Sequence, residues 1–201
     1  MRVAVLLVVF MISGCAVYRG NNIPEVTLAD IAGTEEQRVS ASYSSTAFGG
    51  MPSPRKLPNG IQNRISGELR SVLESSDFFG RISKGDESAD IKMDITVTSS
   101  GSLAAIIPAV ITGMSFYVIP SWATDNINVV AKVERADGLV KEYVLDDSIK
   151  LVQWIPMAFA FPRNNFSVVT DVRKNMYRKL LSDMRDDGFF HHDKVTLSVS
   201  R

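Results

Sequence analysis

The pattern that most narrows the fold is strict alternation. Ile91, Met93, Ile95 and Val97 are separated by Lys92, Asp94, Thr96 and Thr98. Successive side chains of a strand point to opposite faces, so this run predicts a strand with one buried and one wet face. The same period recurs at Ile127, Val129, Ala131 and Val133. Asp137-Gly138 is a hairpin turn signal, and residues 140–145 predict the antiparallel return. Half-wet strands joined by a tight turn form an antiparallel sheet whose apolar face needs a cover.

Two helices supply that cover. Ile61, Ile65, Leu69, Val72 and Leu73 form one apolar stripe over 59–76, just after Pro58, which suits a helix start. Val168, Val172, Met176, Leu180 and Met184 recur every four residues over 167–185. Asn165 or Ser167 can cap that helix, and Gly188 falls just past its end. Residues 38–45 predict a first strand, 48–58 a loop rich in Gly and Pro, and 78–82 a short second strand. Val195, Leu197 and Val199 predict a closing strand. The expected class is α+β: a mainly antiparallel sheet packed with two amphipathic helices, in a single domain.

The first fifteen residues belong to none of this. Arg2 precedes an unbroken apolar run from Val3 to Ile12, then Ser13, Gly14 and the only cysteine, Cys15. A basic start, a short apolar core and small residues before a cut describe a secretory signal. The run is too short to cross about 30 Å of hydrocarbon as a helix. Ile12-Ser13-Gly14-Cys15 resembles the lipobox of bacterial lipoproteins. The resemblance implies recognition by the lipoprotein signal peptidase at Ile12, Ser13 and Gly14. It also implies a mature chain that starts at Cys15, with a diacylglycerol on the sulfur and a further acyl chain on the amine. By the same resemblance, Ala16 lacks the aspartate that retains such proteins at the inner membrane, which implies a lipid-anchored, periplasm-facing place at the outer membrane. The expected division is 1–14 signal peptide, 15–37 acylated N-terminus and flexible tether, and 38–201 domain. Gly20, Asn21, Asn22, Pro24 and Gly33 give the tether its polar, broken composition.

The corner Ser75-Ser76-Asp77-Phe78-Phe79, between a helix and a strand that begins Ala89-Asp90, resembles a periplasmic module. It is similar to the domain shared by the TolB amino-terminal region, the peptidoglycan-synthase activator lipoprotein LpoB and the curli-secretion lipoprotein CsgG. That resemblance implies a non-enzymatic adaptor, activator or channel part. The uncharged runs at about 102–123 and 151–162 lack the polar-apolar alternation of a channel lumen, so a channel role is not carried over.

Charge excludes further classes. There are 22 basic and 22 acidic residues, and removing Arg2 with the signal leaves the rest one charge from neutral. Nucleic acid binding needs a basic surface, so no such partner is expected, and neither is a polybasic membrane patch. With Cys15 acylated, no thiol is left for a disulfide, metal or nucleophile. No catalytic motif occurs, and no cofactor is expected. His191, His192 and Asp193 read as a polar turn, because no other His or Cys can complete a metal site. Asp146-Asp147 and Asp186-Asp187 read as solvated turn or cap positions rather than as paired catalytic carboxylates.

Function is therefore sought in two uncharged apolar insertions, at about 102–123 and 151–162. Pro108, Thr112, Gly113, Ser115 and Pro120 interrupt the first. It admits three arrangements: a buried hairpin or crossover, an apolar loop against the lipid leaflet or a neighbouring subunit, or a membrane-crossing helix. Both insertions leave the same end of the predicted hairpin. Together they offer a candidate contact patch of Ile107, Phe116, Tyr117, Trp122, Trp154, Met157, Phe159 and Phe161. Tryptophan favours membrane interfaces. The expected role is a structural or adaptor component of an envelope assembly, with protein partners or a homo-oligomer. The alternative is a binding module that holds a lipid or other apolar ligand between the two runs.

Overall fold

A computed structural model describes residues 15–31, 38–102, 105–154 and 165–190. Its strands are β1 (Cys15–Arg19), β2 (Val39–Gly49), β3 (Arg55–Lys56), β4 (Phe79–Lys84), β5 (Ile91–Gly101), β6 (Ser121–Arg135) and β7 (Val140–Gln153). Its helices are α1 (Asn59–Ser75), α2 (Ile106–Met114) and α3 (Asn165–Asp186). The expected signal peptide with Ile12, Ser13 and Gly14, residues 155–162 of the second insertion, His191, His192, Asp193 and the expected strand at 195–199 lie outside the described residues.

Among the described residues the sheet has seven strands in the order β1-β7-β6-β5-β2-β3, with β4 pairing β2 as well. Four pairings are antiparallel, and only β2–β4 and β2–β5 are parallel. The core of this α+β sheet is the alternating set of the sequence. Ile91, Met93, Ile95 and Val97 of β5 lie beside Ile127, Val129, Ala131 and Val133 of β6, all buried. Helix α1 covers the β2–β4 side and α3 covers β1, β7 and β6, so one face of the sheet is dry. The other face carries Thr96, Asn126, Asn128 and Lys132, as the alternation requires.

Two polar contacts fix this layer. The Arg173 guanidinium of α3 donates to both oxygens of Glu68 on α1, at 2.7 and 2.9 Å, and the Thr170 hydroxyl donates to the same carboxylate at 3.0 Å. Both charged side chains are buried. At the start of β5, the Asp90 carboxylate accepts from the Ser40 amide and hydroxyl at 2.8 and 2.7 Å, and the Asp90 amide donates back to the Ser40 hydroxyl at 2.9 Å. That reciprocal pair sets the parallel register of β2 and β5. The corner after α1 is closed by hydroxyls: Ser75 donates to Val72 O and Ser76 to Leu73 O. Phe78 then stacks on Phe190 at 4.1 Å between ring centres, and Phe79 meets Phe190 edge-on.

Four expectations change. First, residues 15–31 are docked rather than a free tether. Strand β1 pairs with β7 from Cys15 opposite Gln153 to Arg19 opposite Ile149. Beyond it, Ile23, Val26 and Ile31 are buried in the core. The Asn175 side chain accepts from the Val26 amide at 2.8 Å and donates to Pro24 O at 2.9 Å. Tether-like composition here reflects a chain that crosses α3 with only a short 3-10 turn, Ala29–Ile31, as regular structure beyond β1. Second, the 48–58 loop loses its start to β2 and includes the short β3. Third, the insertions are shorter than expected, since 121–123 and 151–153 are strand ends paired with each other. Fourth, Asp147 lies within β7 and is buried, with its carboxylate accepting from the Asn22 and Ser148 amides.

Burial pushes the Glu68 carboxyl up, but the hydrogen-bonded Arg173 beside it outweighs this and holds it below the usual glutamate value. A depressed folded value means stability that is present above the unfolded pKa, about 4.3, and lost as pH falls below it. Arg173→Ala strands a buried carboxylate and should cost about 3–5 kcal/mol in urea unfolding at neutral pH. Replacing both partners, Glu68→Leu with Arg173→Met, should recover most of that loss and lessen the fall in stability between about pH 5 and pH 3. A single variant no less stable than the parent would show that the pair does not hold α1 to α3.

Candidate functional site

One end of the sheet gathers the features that the core does not explain. In the last row of pairings, Cys15 of β1 stands opposite Gln153 of β7, and Gln153 stands opposite Ser121 of β6. The first insertion emerges from the same end, between Gly101 of β5 and Ser121 of β6.

Within it, α2 is a nine-residue helix of high apolarity. Ile106, Ile107, Val110, Ile111 and Met114 fall at i, i+1, i+4, i+5 and i+8, on one side of the helix. All five are exposed, with Ile107 at 69% and Met114 at 79%. Thr112, on the opposite side, is buried, and its hydroxyl donates to Pro108 O at 2.9 Å. Pro108 does not kink the helix. It is the third residue, within the first turn, where a missing N–H breaks no intrahelical bond. The buried hairpin arrangement is thus overturned, because the insertion turns its apolar side outward. No helix of the described residues is long and apolar enough to cross a membrane.

The turn out of α2 is unusual. Phe116 and Tyr117 both have left-handed backbones, with φ of 54° and 63°. For bulky side chains this region costs about 1–3 kcal/mol per residue. Hydrogen bonds compel it: the Tyr117 amide reaches Thr112 O at 2.8 Å, the Phe116 amide reaches Gly113 O at 3.1 Å, and the Ser115 hydroxyl accepts from the Ile119 amide at 3.1 Å. The turn displays Phe116, Val118 and Ile119 to solvent, while Tyr117 is half-buried. Strand β6 then begins, and Trp122, on its solvent-facing set, is 71% exposed. Trp154 follows the last residue of β7 and is 37% exposed. The structure thus gathers Ile107, Phe116, Tyr117, Trp122 and Trp154 at one end of the sheet. Met157, Phe159 and Phe161 lie outside the described residues. Leaving each large apolar side chain in water forgoes about 1.5–3 kcal/mol of burial, so an exposed group of this size is costly unless something covers it.

Beside this surface, on the helix-covered face, is a cavity of about 620 Å³ that sequence reasoning missed. Val17 of β1, Met51, Ala105, Ile149 and Leu151 of β7 and Val169 of α3 line it. Ser99, Ser102, Thr124 and Asp125 are its polar lining; Asp125 Oδ2 accepts from the Ser99 hydroxyl at 2.5 Å, while its Oδ1 is buried with no partner among the described residues. The lining comes from segments scattered along the chain, so no local pattern could have marked it.

The acidic pairs hold structure. Asp146 accepts from the Asn128 amide group at 2.7 Å. Asp187 accepts from Lys141 at 2.6 Å and from the Tyr143 hydroxyl at 2.7 Å, and those bonds, Lys141 foremost, lower its carboxyl. Burial and Asp187 together raise the Tyr143 hydroxyl well above the usual tyrosine value. Among the described residues no group of three or more His, Cys, Asp or Glu is placed to hold a metal.

No protein-family profile matches the sequence. No curated protein sequence matches it significantly either. Several solved structures are similar to it. Rare lipoprotein B from Shewanella oneidensis aligns with a TM-score of 0.41 and 10% identity, covering 73% of this chain and 95% of that one. A neuraminyllactose-binding hemagglutinin homolog from Helicobacter pylori gives 0.42 and 9%, covering 77% and 84%. A PelC variant dodecamer from Paraburkholderia phytofirmans gives 0.33 and 7%, covering 84% and 95%.

If the turn after α2 is strained for the sake of what it displays, relaxing it should stabilise the protein in water. Phe116→Gly removes the left-handed penalty and an exposed ring. It should raise stability by about 1 kcal/mol in thermal or urea unfolding. A loss of stability of that size would mean that the ring supports the fold.

Proposed function

We propose that the chain is a lipoprotein of a bacterial outer membrane, acylated at Cys15 and facing the periplasm. Its domain acts as a structural or adaptor component of an envelope assembly and performs no chemistry of its own. The observation that carries this reading is the exposed apolar group at one end of the sheet, where Ile107, Met114, Phe116 and Trp122 face water at the same end as Cys15. The exposed apolar end supports a role through contact, and the structural employment of the acidic pairs supports a role without catalysis.

A second reading, a binding module for a lipid or other apolar ligand, has one specific observation in its favour. The cavity of about 620 Å³ beside β1 is of a size that small-molecule sites commonly have. Native mass spectrometry of the mature protein separates the two. An apolar adduct on a monomer favours the binder, and bare protein in a larger assembly favours the adaptor.

The anchor has its own test. Cells expressing the protein and fed radiolabelled palmitate should label the parent and not Cys15→Ser, and globomycin should hold the parent at its precursor size. A mature protein that begins at any residue other than Cys15, or that carries no acyl group there, would contradict the proposal.

A further inference from the structure

We infer that the outward face of α2, the turn at 115–119 and Trp122 lie in the lipid leaflet that receives the acyl group of Cys15. The inference rests on the acylation of Cys15 proposed above and deepens it, because it fixes how the domain sits on the bilayer.

Position is the first argument. Had 16–36 been a free tether, its root-mean-square reach of about 25 Å would have let the domain turn any side to the membrane. Instead the anchored residue is itself part of the sheet. Two strand spacings separate Cys15 from Ser121, about 10 Å across β7. The lipid surface therefore reaches the end of the sheet from which α2 and Trp122 project, with no slack between them.

Chemistry is the second. No charged residue occurs from 95 to 124, so nothing in the insertion or its flanks has to be carried out of water as an ion. The exposed side chains of α2 are all aliphatic or Met, and aromatic Phe116 and Trp122 stand at the margin, as groups at a membrane interface do. Size is the third. Nine residues span about 13 Å, less than half the hydrocarbon thickness, so α2 lies in the leaflet rather than across it. A second copy of the chain is the competing occupant. The anchor favours lipid, since every molecule fastened at Cys15 brings this end to the bilayer whether or not another copy is near.

The test uses the mature acylated protein floated with phosphatidylethanolamine–phosphatidylglycerol vesicles. Trp154→Phe leaves Trp122 as the single indole. In vesicles whose acyl chains carry bromine, Trp122 emission should be quenched, and in plain vesicles it should shift to shorter wavelength than in detergent-free buffer after deacylation. Adding Ile107→Asp and Ile111→Asp should abolish the quenching while the protein still floats and its circular dichroism is unchanged. Protein that floats but whose Trp122 emission is the same in brominated and plain vesicles would overturn the inference and leave the anchor standing, and a cross-linked dimer shielding Trp122 would be one such case. Protein that neither floats nor carries acyl mass would overturn the anchor and the inference with it.

Discussion

A short edge strand sets the terms for the rest of the molecule. Strand β1 adds itself to β7 through main-chain hydrogen bonds, and its partner at the far end of that ladder is Ile149. The chain leaves it through Gly20, whose amide donates to Ser148 O at 2.6 Å. A Cβ at Gly20 would stand 1.9 Å from the Ser148 hydroxyl, so only glycine permits this approach. From there the chain crosses α3, is clamped by Asn175, and buries Ile23, Val26 and Ile31. One backbone ladder thereby converts what composition describes as a leash into a wall of the domain. It also closes one side of the cavity, through Val17.

The two ends of the sheet are built on opposite principles. Where α1 turns into β4, hydroxyls cap the helix and three phenylalanines pack against one another, with one left-handed residue, Asp77, at the corner. Where β1, β6 and β7 end, the structure tolerates expense. Aliphatic side chains face water along α2, and two aromatic residues adopt a backbone that favours glycine. Natural chains accept such costs where a surface has work to do, and the rest of the domain over-determines the strained turn through hydrogen bonds.

The sequence disclosed those parts whose period was uninterrupted. Strands β5 and β6 and helices α1 and α3 were legible because each repeats its apolar residues at a fixed interval for two turns or more. Strand β1 was not, because Cys15, Ala16, Val17, Tyr18 and Arg19 are too few to establish a period and follow closely on the apolar run from Val3 to Ile12. The first residues of β6 and the last of β7 were hidden for a different reason: an uncharged stretch has no polar residues to mark its wet face. Helix α2 was obscured by Pro108, which reads as a breaker until the helix is seen to begin at Ile106. Of the candidate patch, Ile107, Phe116 and Trp122 could be named from their apolar context, but the exposure of Ile107 depended on Thr112 taking the inward side of α2, and that of Trp122 on the open face of β6. The cavity depended wholly on tertiary placement.

The central claim is that Cys15, the residue we propose to be acylated, belongs to the folded sheet. Hydrogen exchange of the β1 amides in the mature, acylated protein tests it most directly. Exchange as slow as that of the paired β7 amides, appearing only when the domain itself opens, is the predicted result. Exchange of Ala16, Val17 and Tyr18 at the rate of an unstructured peptide, while β7 stays protected, would show a leash between lipid and domain and contradict the account.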